Sequence, residues 1–180
     1  MCILKYLFGT LLILLAIFVI GGFLIPDEWE ISRSNTIHAN AERIYPFVSN
    51  FKEWENWSPW NASKDATLKY SYEDSETVVG AKQSWTSEKM GNGWMKFTAA
   101  SQQSGVSYDL FIDMGRMQST LHGNIAFSPE GDETRLTWTD RGNSDKSWIK
   151  RWMSILIKPM LRKDLDSGLA GLKELVEKQN

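Results

Sequence analysis

The chain has 180 residues, with 20 Lys and Arg against 22 Asp and Glu, and its formal net charge is -2. This balance argues against a dedicated nucleic-acid-binding protein, which would usually carry a basic face. The single cysteine, Cys2, excludes an intramolecular disulfide framework and a cysteine-rich zinc site.

The first predicted element is the uncharged stretch at 6–25, which is 20 residues long. A helix of that length spans about 30 Å, the thickness of the hydrocarbon core of a bilayer. The stretch is apolar on all faces and ends at Pro26, and no good cleavage site follows it. It predicts an uncleaved transmembrane anchor over residues 1–28, with a cleaved signal peptide and a buried soluble helix as alternatives.

The basic residues around this stretch indicate its orientation. Lys5 lies directly before the stretch, whereas Arg33 and Arg43 lie farther beyond it. The positive-inside rule therefore predicts a single-pass membrane protein with its N-terminus in the cytoplasm and residues 29–180 outside. These residues form one predicted domain of nearly neutral charge.

The domain begins with β-periodicity and continues with two short helices. Residues 29–37 alternate between apolar and polar, which is typical of a strand. Asn40 is a suitable cap for a helix, and a second helical turn is predicted over 52–56. Six strand-like segments follow, separated by glycine-containing turns, at 68–73, 79–88, 93–101, 106–114, 116–128 and 134–140.

The chain closes with apolar residues at helical spacing from Trp148 to Val176, and Pro159 is expected to kink or break this helix. The short spacings between the strand-like segments indicate antiparallel hairpins. The predicted fold class is therefore α+β: a curved antiparallel sheet of about seven strands grips a long C-terminal helix, and one transmembrane helix precedes it.

Three stretches resemble a known family. They are residues 37–48 at the first strand-to-helix junction, the W-x-x-W-S-P-W segment at 54–60, and D-L-D-S-G-L-A-G-L-K at 164–173. Together with the element order, they are similar to the helix-grip, START-like (SRPBCC) superfamily, which includes polyketide cyclases and dehydrases, Bet v 1-type proteins and lipid-transport domains. The resemblance implies a hydrophobic cavity for a lipid-like or aromatic molecule. It carries over no catalytic residue.

Strand and helix alternation identifies the side chains that face the space between sheet and helix. The predicted cavity residues are Trp60, Tyr70, Trp85, Phe97, Tyr108, Leu110, Leu121, Trp138, Asp140, Met153, Leu165 and Leu169. The alternative is that these residues fill the space among themselves as an ordinary core. Gly168 and Gly171 on the last helix indicate either close packing or room for a ligand.

The sequence carries little sign of catalysis. His38 and His122 both fall on the outward phase of their strands, and no nucleophile, metal-binding or dinucleotide motif occurs. Asp140 is the best acid candidate, although it is expected to lie at the rim because its strand is predicted to end there. We therefore expect no catalytic residues, no metal and no cofactor.

A basic stretch at 146–163 contains six Lys and Arg, two tryptophans and no acid. Such a segment can lie on an anionic membrane, with a solvated helix face as the alternative. The predicted membrane-surface residues are Trp148, Lys150, Arg151, Trp152 and Lys158.

These patterns favour a membrane-anchored domain that binds a hydrophobic or lipid-like small molecule without intrinsic catalysis. A cyclase- or dehydratase-like enzyme acting in the same cavity and a protein-interaction domain are the alternatives. The predicted partners are the small molecule and, through residues 6–25, a membrane. The oligomeric state is left open.

Overall fold

The computed structural model describes residues 2–73, 75, 78–115 and 117–178, with side chains from residue 5 onward. Its helices are α1 (Cys2–Leu24), α2 (Ala41–Val48), α3 (Phe51–Trp57) and α4 (Trp148–Glu177). Its strands are β1 (Glu28–Ile37), β2 (Lys69–Glu73), β3 (Lys82–Thr86), β4 (Asn92–Ser101), β5 (Gly105–Asp113), β6 (Gln118–Glu130) and β7 (Glu133–Asn143). Arg116, where a strand is predicted to begin, and the last two residues of the predicted domain lie outside the described residues.

The strands form one sheet in the order β1-β7-β6-β5-β4-β3-β2, and every neighbouring pair is antiparallel. Hairpins connect β2 through β7 in sequence, as the short predicted turns require. The first strand, β1, returns to pair with the last strand, β7. This architecture confirms the predicted helix-grip fold, in which a curved antiparallel sheet surrounds a long C-terminal helix.

Helix α4 lies against the concave face of the sheet. Its buried residues Leu165, Leu169, Leu172 and Val176 recur every three or four positions and form the stripe that faces the sheet. Helix α4 runs without interruption through Pro159, so the predicted break does not occur there, and the alternative of a kink stays a prediction. Pro159 is exposed, so its ring displaces no core contact. The packed second half of α4 helps to hold the helix together despite the missing backbone donor.

Helices α2 and α3 bring the tryptophans of the 54–60 segment onto the core. The indole N–H groups of Trp54 and Trp57 donate to the carbonyls of Val48 and Phe47 at 2.9 and 3.0 Å. The rings of Trp54, Trp57 and Trp60 surround Trp138 at centroid distances of 5.7, 5.5 and 5.8 Å. These edge-to-face contacts fix the two short helices against the sheet.

The two glycines of α4 serve this close packing. A Cβ on Gly168 would lie 2.6 Å from the Trp138 ring, and a Cβ on Gly171 would lie 2.6 Å from the carbonyl oxygen of Trp57. The first of the two sequence-based alternatives, close packing, therefore explains both glycines.

Candidate functional site

A buried polar network crosses the inner face of the sheet at Tyr108, Gly123 and Asp140, which are direct neighbours on β5, β6 and β7. The Tyr108 ring lies over Gly123, where an added Cβ would come within 1.9 Å of the ring. The ring therefore reaches across β6, and its hydroxyl donates to Asp140 Oδ1 at 2.7 Å. Trp138 Nε1 in turn donates to the Tyr108 hydroxyl at 2.7 Å.

Burial dominates the electrostatics of this network. Desolvation raises the pKa of Asp140 to about 6, although the hydrogen bond from Tyr108 acts in the opposite direction. Burial, and then the nearby Asp140 carboxylate, raise the pKa of Tyr108 well above its usual range. The network is therefore held with Tyr108 as a neutral donor and Asp140 as an acceptor.

The expectation that Asp140 lies at the rim is wrong, since only 2% of the residue is exposed. Strand β7 continues to Asn143, which pairs with Glu28 of β1. Gly142 permits this extension because the Trp29 ring occupies the place where a Cβ would lie, 2.4 Å away. Asp140 is therefore enclosed between β6 and β1.

The other predicted cavity residues divide into two groups. The buried residues that pack with one another in the core are Phe97, Tyr108, Leu110, Leu121, Trp138, Leu165 and Leu169. Trp60, Tyr70 and Trp85 are only half-buried, and the Tyr70 hydroxyl donates to the Trp60 carbonyl at 2.7 Å. Their role in holding a ligand stays a prediction.

A small recess lies between the sheet and the first half of α4. Its volume is about 60 Å³, and its lining includes Met153, which is one of the predicted cavity residues, together with Met117 and Ile157. The Ser144 hydroxyl belongs to this lining and is only 2% exposed, yet it has no hydrogen-bond partner among the described residues. Because a buried hydroxyl without a partner costs free energy, Ser144 is suited to bind a polar atom of a guest molecule.

The sequence-based reasoning missed Ser144 because β7 is predicted to end at Asp140. Every second residue from Leu136 to Asp140 points inward, and the same spacing continued through Gly142 arrives at Ser144, the first residue after β7. Continuing that alternation past Gly142 is the signal that identifies it.

The recess adjoins an opening in the sheet. The pairing of β6 with β7 begins at Leu121 and Gly142, so residues 118–120 of β6 extend beyond it. An open depression of about 860 Å³ lies at this place and shares four lining residues with the recess, namely Trp29, Ser119, Asn143 and Lys150. Lys150 Nζ bridges the opening by donating to the Gln118 carbonyl at 2.9 Å and to Asp145 Oδ2 at 2.5 Å.

Helix α1 meets α4 next to this opening. The Phe18 ring stacks on Trp152 at a centroid distance of 5.1 Å and meets Trp148 edge-on at 5.6 Å. Trp152 Nε1 donates to the Phe18 carbonyl at 3.0 Å, and Gly22 lies in contact with Trp148. Two of the predicted membrane-surface residues thus contact the predicted anchor itself.

Arg151 ties the end of α1 to the domain. Its Nη1 donates to the carbonyls of Phe23 and Ile25 at 2.9 and 3.1 Å, and its Nε lies 3.3 Å from Asp27 Oδ1. Asp27 in turn accepts a hydrogen bond from the Lys146 amide at 2.9 Å. The guanidinium therefore satisfies carbonyls that the end of a helix leaves unpaired. Of the remaining predicted membrane-surface residues, Lys150 and Lys158 are half-buried and line the recess.

Within the described part of the chain, Lys5–Leu24 is the one helix long and apolar enough to cross a membrane, and almost none of it is buried. A signal sequence near an N-terminus has the same length and composition. The apolar helix is therefore a candidate membrane span or signal sequence.

Solved structures from several organisms share this fold. A point mutant of norcoclaurine synthase from Thalictrum flavum, in complex with a transition-state analogue, is 14% identical, with a TM-score of 0.62 over 84% of this chain and 96% of that chain. Protein TTHA0849 from Thermus thermophilus is 17% identical, with a TM-score of 0.61 over 84% and 99% of the two chains. Protein CV1439 from Chromobacterium violaceum is 15% identical, with a TM-score of 0.58 over 85% and 99%. At these identities, the likeness concerns the fold alone.

No curated protein matches the chain. The family model described as polyketide cyclase/dehydrase and lipid transport matches residues 28–177, which is the whole sheet together with α4. The chain therefore belongs to the polyketide cyclase/dehydrase and lipid transport family. This membership supports a domain that binds a hydrophobic ligand.

Proposed function

We propose that the protein is a membrane-anchored domain that binds a hydrophobic or lipid-like small molecule between its sheet and α4, without chemistry of its own. Helix α1 is the single span, with the N-terminus in the cytoplasm and the domain outside. The observation that carries the proposal is the unpaired Ser144 hydroxyl in the recess lined by Met117, Met153 and Ile157. Most of the surface that lines the recess is apolar, although Ser119, Asn143, Ser154, Lys150 and Lys158 also border it. A mostly apolar surface with a few polar groups is typical of small-molecule sites.

The position of the recess supports the membrane part of the proposal. Its lining contains Ser144, whose amide donates to the Asp27 carbonyl at 2.9 Å just beyond α1. A guest that leaves the bilayer beside α1 would meet the opening at residues 118–120 first. The recess itself holds only the polar end of such a molecule, because about 60 Å³ has room for a few non-hydrogen atoms.

Methionine methyl groups provide the test. The full chain, carrying ¹³C-labelled methionine methyl groups in lipid nanodiscs, is titrated with decanoate and with 2-naphthol, and methyl NMR signals are recorded. We expect the signals of Met117 and Met153 to shift, whereas that of Met114, which is exposed and outside the recess, stays in place.

Two variants separate binding in the recess from partitioning into lipid. Met153→Trp fills the recess and should abolish the shifts at Met117. Ser144→Ala should weaken binding about tenfold, because the guest then loses one hydrogen bond. Shifts that leave Met117 and Met153 unchanged, or shifts at Met117 that persist in Met153→Trp, would overturn the proposal.

A second candidate, an enzyme of the cyclase or dehydratase type, is favoured by one observation. The raised pKa of Asp140, about 6, is suited to proton transfer near neutral pH. Asp140 is absent from the lining of both depressions, however, and its bond to Tyr108 lies inside the packed core. Binding without catalysis is therefore the function that the geometry supports better.

A further inference from the structure

The first half of α4 exposes a row of large apolar side chains. Ile149, Leu156 and Met160 are 52%, 70% and 57% exposed. At 100° per residue they fall within about 40° of one another, and they point away from the buried stripe of Leu165 and Leu172. We call these three residues the outer face of α4. Such a row on a helix is costly in water and normally marks an interaction surface.

We propose that the outer face of α4 lies on the anionic surface of the bilayer that α1 crosses. The inference rests on the anchoring part of the proposed function and is independent of any ligand in the recess. It makes α4 a second membrane contact, alongside the span.

Continuity with the α1–α4 contact supports this assignment. Trp152 bonds the Phe18 carbonyl, and Phe18 lies seven residues before Ile25, about 10 Å from the end of the apolar stretch. An interfacial helix buries its apolar face to a depth of about 5–10 Å at the boundary between headgroups and acyl chains. Ile149 and Leu156 lie within one or two turns of Trp152 on the adjoining face, so they reach the same level.

Charge complementarity supports anionic lipid as the occupant. From Lys146 to Lys163 the chain has six basic residues and no acidic one. Of these, Lys163 is exposed one turn beyond Met160 and lies about 20° from Leu156 around the helix, so it can contact phosphate groups on the same side. Basic residues near an anionic leaflet each contribute about 1 kcal/mol.

Site-specific fluorescence tests the proposal in the full chain. In a Cys2→Ser background, Leu156→Cys and Met160→Cys are labelled with an NBD fluorophore and reconstituted into vesicles of phosphatidylcholine and phosphatidylglycerol. The control label is at Asp132→Cys, in the β6–β7 turn near the other end of α4, and a label at Ile13→Cys reports the span. Lipids carrying a doxyl group quench labels that contact the bilayer.

We expect the labels at 156 and 160 to be quenched several-fold more strongly than the label at 132. Lys163→Glu should reduce this quenching several-fold in anionic vesicles only, whereas Arg162→Glu, on another side of α4, should change it less. Quenching at 13 without quenching at 156 overturns the inference and leaves the anchor intact. Quenching at neither position means that the anchoring itself is wrong. A blue shift at 156 that depends on the protein-to-lipid ratio and is not quenched assigns the face to a second copy, which also overturns the inference.

Discussion

At the scale of single residues, the inner face of the sheet contains glycines whose missing side chains leave space that aromatic rings fill. Tyr108 covers Gly123 and Trp29 covers Gly142, so each glycine is paired with an aromatic ring on the adjacent strand. The alternation of the sequence predicts that Tyr108, Trp138 and Asp140 point inward, which the structure confirms. It cannot predict that the Tyr108 ring reaches Asp140, because that contact depends on strand register and on the space above Gly123.

Gly123→Ala should destabilise the fold by about 3 kcal/mol, because overpacking forces the Tyr108 ring out of its place. The displaced ring also loses its bond to Asp140. Urea unfolding of the full chain in detergent micelles measures the change. Thr120→Ala, an exposed position on the same strand, is the control and should change stability by less than about 0.5 kcal/mol. Equal stability of the two variants would contradict the observed packing.

Asp140→Asn should alter the pH dependence of stability. A pKa of about 6 in the fold, against about 4 in the unfolded chain, means that the native state binds more protons between these values. Asp140 therefore lowers the stability of the wild type as the pH rises from 4 to 6, by about 3 kcal/mol in total. The neutral amide lacks this loss and still accepts the Tyr108 hydrogen bond.

The measurement is the free energy of unfolding from pH 4 to pH 8. We expect the Asp140→Asn variant to gain stability relative to the wild type across this range. Asp132→Asn, in an exposed turn, should keep the wild-type profile. Parallel curves for wild type and Asp140→Asn would show that Asp140 is not desolvated in the fold.

At the scale of elements, α4 has two unlike halves. The second half packs on the sheet through Leu165 to Val176, whereas the first half contacts α1 and carries the outer face. The periodicity of the sequence predicts the helix and the stripe of its second half. It does not separate the halves, because Trp148 and Trp152 are apolar like the core residues and only the position of α1 assigns them.

Replacing the glycines of α4 with alanine should change stability in the direction opposite to that in an isolated helix. In an isolated helix, Gly168→Ala and Gly171→Ala would each stabilise by about 1 kcal/mol. Here each Cβ would clash, with the Trp138 ring or the Trp57 carbonyl, so we expect a loss of about 2 kcal/mol instead. Ser167→Ala, which is exposed on the same turn, should stabilise by a few tenths of a kcal/mol and is the matched control for thermal unfolding. A gain in all three variants would contradict the packing.

At the scale of the whole molecule, Arg151 links the C-terminal end of α1 to the domain. It bonds the Phe23 and Ile25 carbonyls and lies beside Asp27, which accepts the Lys146 amide. The basic stretch in the sequence leads to the prediction that Arg151 contacts lipid. The sequence does not reveal its contact with α1, because that contact joins segments more than 120 residues apart.

Arg151→Ala should weaken the contact between the end of α1 and the domain. We expect hydrogen exchange at the Ser144 and Lys146 amides, both bonded to Asp27, to accelerate about tenfold or more in nanodiscs. Amides of β5 serve as the internal reference, and Arg162→Ala, on an exposed part of α4, is the control variant. Unchanged protection at both amides would mean that Arg151 does not hold the end of α1.

The pairing of β1 with β7 has a consequence for biosynthesis. Ser32 and Thr139 bond across this pair although 107 positions separate them in the chain. At about 5–20 residues per second, a ribosome needs roughly 5–20 s to make the intervening segment. During that interval β1 has emerged without its partner, directly behind the apolar α1. The sheet can close only after β7 has been made, so the edge of β1 stays unpaired until then and is open to pairing with other chains.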